Sequence, residues 1–574
     1  MPEEAKKDAE SKDVEMKDAK EAGKEDKKDA KKEPEKPKDP RTLLLEAISQ
    51  NLKTISAGVS AGDPRVMGRV LRSFANLRRT MEPEVLKALL EEFVDASRPS
   101  KGEPKSFKGD AETFTSRSGP VVGSGPAGFY TSKYLFKKVE GPLQIDMLER
   151  LPTPFGLVRF GVAPDHPEVK NVINDFTAVA QTPNFRFFGN VEVGSGALSL
   201  PALRSMYDAV VLCTGASGER RLGIPGEDSE GVLGAPAFVK WYNGHPDYQN
   251  LKVPAAGEAA VVVGQGNVAL DAARLLVRSP KELQATDMQA SAVEQIAAWQ
   301  AAGLRAVHVV GRRGFVQAAF TNAELRELLT CSEEVLPVVD PEELQMCRNP
   351  ASEEELSKSR MKKRSLEILD KMAANFEQRS TTSKRVLQIH FLRSPVEVLS
   401  ESGTVRGLRL GRTALQGEPG KQVAVPSELP ALDLACGLVV RSVGFDITPF
   451  EGLPLSDRNR VPHVNGCVEP PAESQGGLYV SGWVKRGPQG IIASNIGDAQ
   501  ETASKIVMDA QGKPAKAWPA DPLLEALGAS GARVVEFRDW QTLEAEELRR
   551  GQEMGKAAAK FTSVPHMLQF LGKA

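Results

Sequence analysis

The spacing of apolar positions divides this chain into stretches of different texture. Residues 1–40 are almost all Lys, Glu, Asp, Ala and Pro, with no aromatic side chain. Such a stretch buries too little surface to offset the entropy of ordering, and it predicts a disordered charged tail. Over residues 41–97 apolar side chains recur at helical spacing. The groups are Leu43, Leu44, Leu45, Ile48 and Leu52; Val66, Val70, Leu71, Phe74 and Leu77; and Val85, Leu86, Leu89, Leu90 and Phe93. This predicts a short helical segment of three amphipathic helices, the second entered through Asp63-Pro64 as N-cap and first-turn proline. Residues 98–115, rich in Lys, Ser, Gly and Glu, read as a linker. From residue 116 onward, short runs of Val, Ile and Leu end in glycine and lead into helix-like stretches. That alternation predicts an α/β protein with mainly parallel sheets.

Charge and cysteine usage narrow the classes. Lys+Arg (74) and Asp+Glu (76) leave a net charge of −2, which argues against a nucleic-acid binder. The 41% apolar share suits a globular core. No apolar run reaches the roughly 18 residues of a transmembrane helix. The five cysteines, Cys213, Cys331, Cys347, Cys436 and Cys467, include no C-x-x-C pair. That argues against a disulfide scaffold, a resident iron–sulfur cluster or a zinc ribbon, and no metal site is expected. A reduced intracellular compartment fits.

Two glycine loops carry candidate chemistry. In Val121-Val122-Gly123-Ser124-Gly125-Pro126-Ala127-Gly128, the residues Gly123, Gly125 and Gly128 fit G-x-G-x-x-G. The first glycine allows the turn, the second lets backbone N–H groups approach a pyrophosphate, and the third lets helix and strand pack closely. The stretch Leu143 to Arg150 reads as the second strand of such a unit. It ends near Glu149, whose carboxylate can accept both hydroxyls of an adenosine ribose. The second loop, Gly264-Gln265-Gly266-Asn267-Val268-Ala269, follows the apolar run Val261 to Val263 and fits G-x-G-x-x-A. After the next strand, Ala306 to Val310, comes Gly311-Arg312-Arg313-Gly314, two arginines where an NAD site would carry an acid. Their forked guanidinium groups suit the 2′-phosphate of NADPH. Two nucleotide folds in one chain therefore suggest FAD plus NADP(H). Asp208 to Ala216 looks like the apolar strand and Thr-Gly turn that close an FAD domain, with Cys213 as a small core residue.

Longer motifs carry a resemblance. Pro154-Phe155-Gly156-Leu157-Val158-Arg159-Phe160-Gly161-Val162-Ala163-Pro164-Asp165-His166-Pro167 is similar to the adrenodoxin-reductase family of NADPH:ferredoxin reductases. So are Gly264 to Asp271 and Ser481-Gly482-Trp483-Val484-Lys485-Arg486-Gly487-Pro488. The resemblance runs from about residue 120 to the C-terminus. It implies a glutathione-reductase-like fold with two Rossmann-like three-layer domains. The FAD domain is expected over 116–217 and again over 446–574, with the NADPH domain over 218–445. It implies FAD contacts at Ala127, Glu149, Leu157, Val193, Trp483, Gly490, Ile491 and Ile492. NADPH contacts are implied at Gln265, Gly266, Asn267, Val268, Arg312, Arg313, Glu324 and Gly490. His166 and Asp271 match a polar pair near the flavin, linked in the family to electron or proton transfer. The implied reaction is hydride transfer from NADPH to FAD, then single electrons to a small acidic [2Fe–2S] ferredoxin docked on Arg326, Arg360 and Arg364.

The family further implies the mitochondrion, on the matrix side, with peripheral membrane association. The N-terminus does not resemble a transit peptide: it has no Arg before Arg41 and is full of acids. Instead Asp13-Val14-Glu15-Met16-Lys17 and the helical segment resemble the start of a proteasome lid non-ATPase subunit. One departure concerns the first strand. Only Val121 and Val122 precede Gly123, and Ser116 to Pro120 stand where apolar residues belong, so a shortened, compromised strand is expected. Two other readings follow: a helical interaction scaffold with a non-functional flavin fold, and an NADPH–FAD oxidoreductase serving another acceptor.

Overall fold

The computed structural model describes residues 117–194, 198–254, 257–457, 459–472, 475–516 and 521–573. The tail, helical segment and linker expected for residues 1–115 lie outside these. The described residues form an α/β assembly around two six-stranded sheets.

The first sheet joins Arg117–Val122 (β1), Leu143–Glu149 (β2), Phe185–Gly189 (β3) and Ala209–Leu212 (β4) to two strands from far along the chain. These are Cys467–Glu469 (β17) and Gly477–Val480 (β18), and the order is β17-β18-β4-β1-β2-β3. All neighbours are parallel except β17 against β18. The β3-β2-β1 run ending on β4 is one half of a dinucleotide-binding fold. The second sheet is parallel throughout. It joins Val232–Gly234 (β6), Ala259–Val263 (β7), Ala306–Val310 (β8), Val335–Val339 (β9), Arg385–His390 (β10) and Leu438–Arg441 (β15) in the order β6-β15-β7-β8-β10-β9. Residues of β4 and β7 are buried throughout. Strands covered on both faces read as unbroken apolar runs, which is why these two were visible in the sequence.

Between the halves runs a two-stranded link, Gly218–Glu219 (β5) antiparallel to Phe445–Asp446 (β16). A four-stranded antiparallel sheet adds Arg393–Glu401 (β11), Thr404–Gln416 (β12), Val423–Pro426 (β13) and Leu432–Ala435 (β14). Sequence patterning did not reveal this sheet. Its strands are polar on one side and carry bulges at Pro395/Glu397 and Leu399/Ser400, which break the period-2 signal.

The helices include Pro126–Lys138 (α1), Asn267–Val277 (α2), Asn322–Glu327 (α3), Arg360–Ala373 (α4), Ser494–Ala510 (α5) and Phe537–Glu553 (α6). Helix α5 packs on α1, so the C-terminal part of the chain returns to the first glycine loop.

The first strand corrects an expectation. It is six residues long and pairs with β2 from Arg117↔Leu143 to Val122↔Leu148. Asp208 N donates to Ser118 O (3.1 Å) and Cys213 N to Val122 O (2.7 Å), so Ser118 and Val122 face the β4 side. Alternation places Pro120 on that side too. There the paired register covers only Val121 and Val122. The missing proline N–H therefore falls on the β4 side, beyond the paired register, where at most one hydrogen bond is forgone, and the β1–β2 ladder keeps its bonds. Pro120→Val is expected to leave flavin content unchanged and to raise stability by no more than about 1 kcal/mol, the worth of one added hydrogen bond. Absorbance of the purified protein and urea unfolding check both.

Candidate functional site

The two glycine loops are built alike. Gly123 has φ +102° and Gly264 φ +140°. A Cβ on Gly123 would lie 2.6 Å from the Cys213 carbonyl oxygen, and one on Gly264 2.2 Å from that of Ser442. Only glycine fits such a turn. By contrast, a Cβ on Gly125 or on Gly266 would meet nothing within 4 Å. The second glycine of each loop thus opens onto free space at the start of a helix. Helices α1 and α2 have these glycines as N-caps, no side-chain cap and no acid in the first turn. Their first N–H groups are left for a ligand, as a phosphate requires. This fits FAD or NADPH at either loop.

Around the first loop, Glu149 Oε2 accepts from the Ser124 N–H (3.1 Å) and hydroxyl (2.7 Å), and Oε1 accepts from Leu151 N–H (3.0 Å). The carboxylate at the end of β2 is thereby held beside the loop. Phe155, at φ +80°, donates its N–H to Ser124 O (3.0 Å). The residue is fully buried, and its ring packs on Phe129 and Trp540. Packing of this kind is what sustains a positive φ outside glycine. It sets the short helix Leu157–Phe160 against the glycine loop. Val193 is half-buried on the apolar face shared with Val122, Leu148 and Leu212. From the C-terminal side, the Thr131 hydroxyl donates to Ser481 Oγ (2.9 Å), which ties α1 to the stretch before Trp483. The Trp483 indole N–H donates to Gln489 O (3.2 Å), and its ring lies 5.1 Å from that of Phe445. Ala127 is buried, Ile492 half-buried, and Gly490 and Ile491 are exposed.

Around the second loop, the Gln265 side chain donates to His390 O (2.9 Å). The Asn267 amide donates to Glu324 Oε1 (3.0 Å), while its oxygen accepts from Thr321 N–H (2.9 Å). Val268 is half-buried in the first turn of α2. Arg312 and Arg313 are exposed, and among the described residues neither guanidinium has an acid partner. Partial burial, then the Arg312 charge, lower the pKa of Arg313. Two adjacent cations without an anion make a ready site for a phosphate.

A third cluster spans the two halves. Asp165 binds Arg274 through two hydrogen bonds (2.8 and 2.9 Å) and Arg278 through one (2.9 Å). Burial pushes the Asp165 carboxyl up, but these guanidinium groups overrule it and hold it at about 2. Next to it, His166 Nε2 lies 3.2 Å from Glu327 Oε2 and 3.7 Å from Asp271 Oδ1. His166 Nδ1 lies 3.0 Å from Glu168 Oε1. Contact with Glu327, opposed by burial and Arg274 and aided by Glu168, raises His166 to about 9. Burial pushes Asp271 up to about 6, with Arg274 and His166 pulling the other way. His166 Nε2, Asp271 Oδ1 and Arg274 Nη1 are buried and make no well-angled hydrogen bond. They answer one another as ion-pair neighbours instead: Arg274 Nη1 lies 2.9 Å from Asp271 Oδ1 and 3.5 Å from Glu327 Oε2. Sequence reasoning missed Glu327 and Arg274. Both are charged helical residues that ordinarily read as solvated, and Glu327 stands one turn beyond Glu324.

Arg326, Arg360 and Arg364 are exposed on adjoining helices. Asn322 donates to Met361 O (3.0 Å) and accepts from the Ser365 hydroxyl (2.5 Å), which joins α3 to α4. None of the three arginines has an acid partner among the described residues, whereas Lys362 between them pairs with Glu355. All five cysteines are buried and unbridged, and burial raises the Cys213 thiol to about 12. Among the described residues no group of His, Cys, Asp and Glu is arranged to hold a metal. No described helix is long and apolar enough to cross a membrane.

Comparison with known proteins agrees with this geometry. The pyridine nucleotide-disulphide oxidoreductase family matches residues 120–331. The NADPH:adrenodoxin oxidoreductase, mitochondrial, of Arabidopsis thaliana is 42% identical over 78% of this chain and 94% of its own length. The Homo sapiens protein of that name is 41% identical over 79% of this chain and 91% of its own. The structure of Mycobacterium tuberculosis FprA in complex with NADPH superposes with a TM-score of 0.73 at 37% identity, covering 79% of this chain and 99% of that one.

Proposed function

The chain belongs to the NADPH:adrenodoxin oxidoreductase family, and on that premise we propose that it oxidises NADPH with FAD as cofactor and delivers single electrons to a ferredoxin. The observation that carries this reading is the pair of matched glycine cradles, the second fronted by two arginines without acid partners. FAD, when bound, supplies what no side chain has: it accepts a hydride and releases electrons one at a time. Gly123, Gly125, Ala127, Gly128 and Glu149 would hold its pyrophosphate and ribose. Leu157, Val193, Trp483, Gly490, Ile491 and Ile492 would enclose its ring. Gln265 to Val268 and Glu324 would hold NADPH, with Arg312 and Arg313 on the 2′-phosphate. The acceptor would be an acidic [2Fe–2S] ferredoxin steered by Arg326, Arg360 and Arg364, so its association weakens with salt. A mitochondrial location follows from the relatives, with the matrix side and peripheral membrane attachment as its finer form.

His166 holds a proton at the junction of the halves, with the Asp271 carboxyl beside it. With His166 raised to about 9, its Nε2–H is present throughout the neutral range. The rate of flavin reduction is expected to stay level there and to fall as pH rises through about 9. His166→Gln is expected to abolish that break. The same shift links to stability. A histidine raised above its free value of about 6.5 stabilises the fold fully below that pH and loses the contribution on the way to about 9. Stopped-flow flavin reduction and thermal unfolding across this range test both.

The direct test of function uses the purified full chain. It should be yellow, and its NADPH-dependent reduction of cytochrome c should require added ferredoxin. Reduction that ignores ferredoxin would point to another acceptor. A colourless protein would sink the flavoenzyme reading and leave the scaffold.

A further inference from the structure

A cavity of about 290 Å³ opens between Met288–Ala290 and the stretch from Arg550 to His566. It shares no lining residue with the sites described above. Arg550, Lys556, Lys560 and His566 line it, and no Asp or Glu does. Lys560 is answered: its ammonium lies 3.0 Å from Asp287, which also binds Lys170. Lys556 is not. It is only 6% exposed, donates to Met288 O (2.5 Å), and forms no ion pair among the described residues. Two of its three N–H donors are uncommitted. Arg550 lies 4.8 Å over the Phe561 ring, and its guanidinium has neither an ion pair nor a hydrogen bond among the described residues. Burial lowers the pKa of Lys556 and brings that of Lys560 down to about 7, so the ammonium form is costly here and a bound anion would favour it.

A walled cavity with surplus buried positive charge and idle donors is built for an anion. We propose that it binds a small anionic metabolite through a phosphoryl or carboxylate group gripped by Lys556 and Arg550. The volume, at the low end for ligand pockets, admits one such group and a short organic body. The apolar walls from Met288, Met554 and Phe561 suit that body. A dinucleotide is too large for it.

Calorimetry on the FAD-loaded full chain tests this, with NADP⁺ saturating so that Arg312 and Arg313 are occupied. The probes are inorganic phosphate, pyrophosphate and citrate, each against chloride at matched ionic strength. One probe is expected to bind once per chain. Phosphate or pyrophosphate would identify a phosphoryl site, and citrate a carboxylate site. Lys556→Met and Arg550→Gln are each expected to weaken binding about tenfold, roughly the loss of one charge-assisted hydrogen bond. Arg326→Gln should leave it unchanged. The proposal is overturned if none of the three probes binds, or if binding survives the variants. Arg550 is partly exposed, so Arg550→Gln reads the site even if Lys556→Met does not fold.

Discussion

Replacing Arg312 and Arg313 together by alanine is expected to raise the KM for NADPH about a hundredfold and to leave that for NADH unchanged. Both side chains are exposed beside the second glycine loop and have no acid partner to lose among the described residues. Their removal should therefore cost the fold little. A hydrogen bond to a charged group is worth about 1.5–3 kcal/mol. Two of them, reduced for solvent screening, amount to about 3 kcal/mol, or a factor of about a hundred. Because the 2′-phosphate is remote from the reacting ring, the loss falls on binding, and kcat at saturation should change little. Steady-state kinetics with both nucleotides at saturating ferredoxin make the comparison. If the two KM values rise together, the arginines do not read the phosphate.

Glu547→Gln is expected to destabilise the protein by about 3 kcal/mol and to speed flavin loss. Arg159 and Glu547 form a bidentate pair (2.9 and 2.6 Å), with 7% and 3% of their side chains exposed. Glu547 also accepts from Phe561 N–H (2.7 Å), and Arg159 lies 4.8 Å over the Trp540 ring. Breaking one side leaves a buried guanidinium without its counter-charge, at a cost of about 3–5 kcal/mol. Arg159 belongs to the helix Leu157–Phe160, so a loosened α6 should free the segment proposed to cover the flavin. The pair Arg159→Met with Glu547→Leu should recover most of the stability, since an apolar pair of similar size removes the unpaired charge. Urea unfolding and released-flavin fluorescence read both effects. Equal stability of the single and double variants would show that packing around Trp540, and not the ion pair, holds α6.

Much of the fold and some of the site could be read before the structure because the signals are local. Gly123 to Gly128 and Gly264 to Ala269 carry their turn geometry in consecutive residues, and the runs Ala209–Leu212 and Ala259–Val263 advertise burial on both faces. The strand Arg117–Val122 was underestimated. The usual penalty for Pro120 depends on which edge its nitrogen faces, and that is a property of pairing with β2 and β4. The antiparallel sheet from Arg393 to Ala435 was missed because bulges and a polar face hide strand periodicity.

The two nucleotide cradles and the arginine pair are legible in consecutive residues, since each rests on neighbours a few positions apart. The junction is legible only in the folded chain, beyond the His166 and Asp271 pair that the family motif implies. Asp165 and His166 meet Asp271, Arg274 and Glu327 there, and Arg159 meets Glu547 across most of the chain. The reason is physical. A charged side chain in a helix or loop reads as solvated until packing removes the water, and only the folded chain shows which charges face one another in its place.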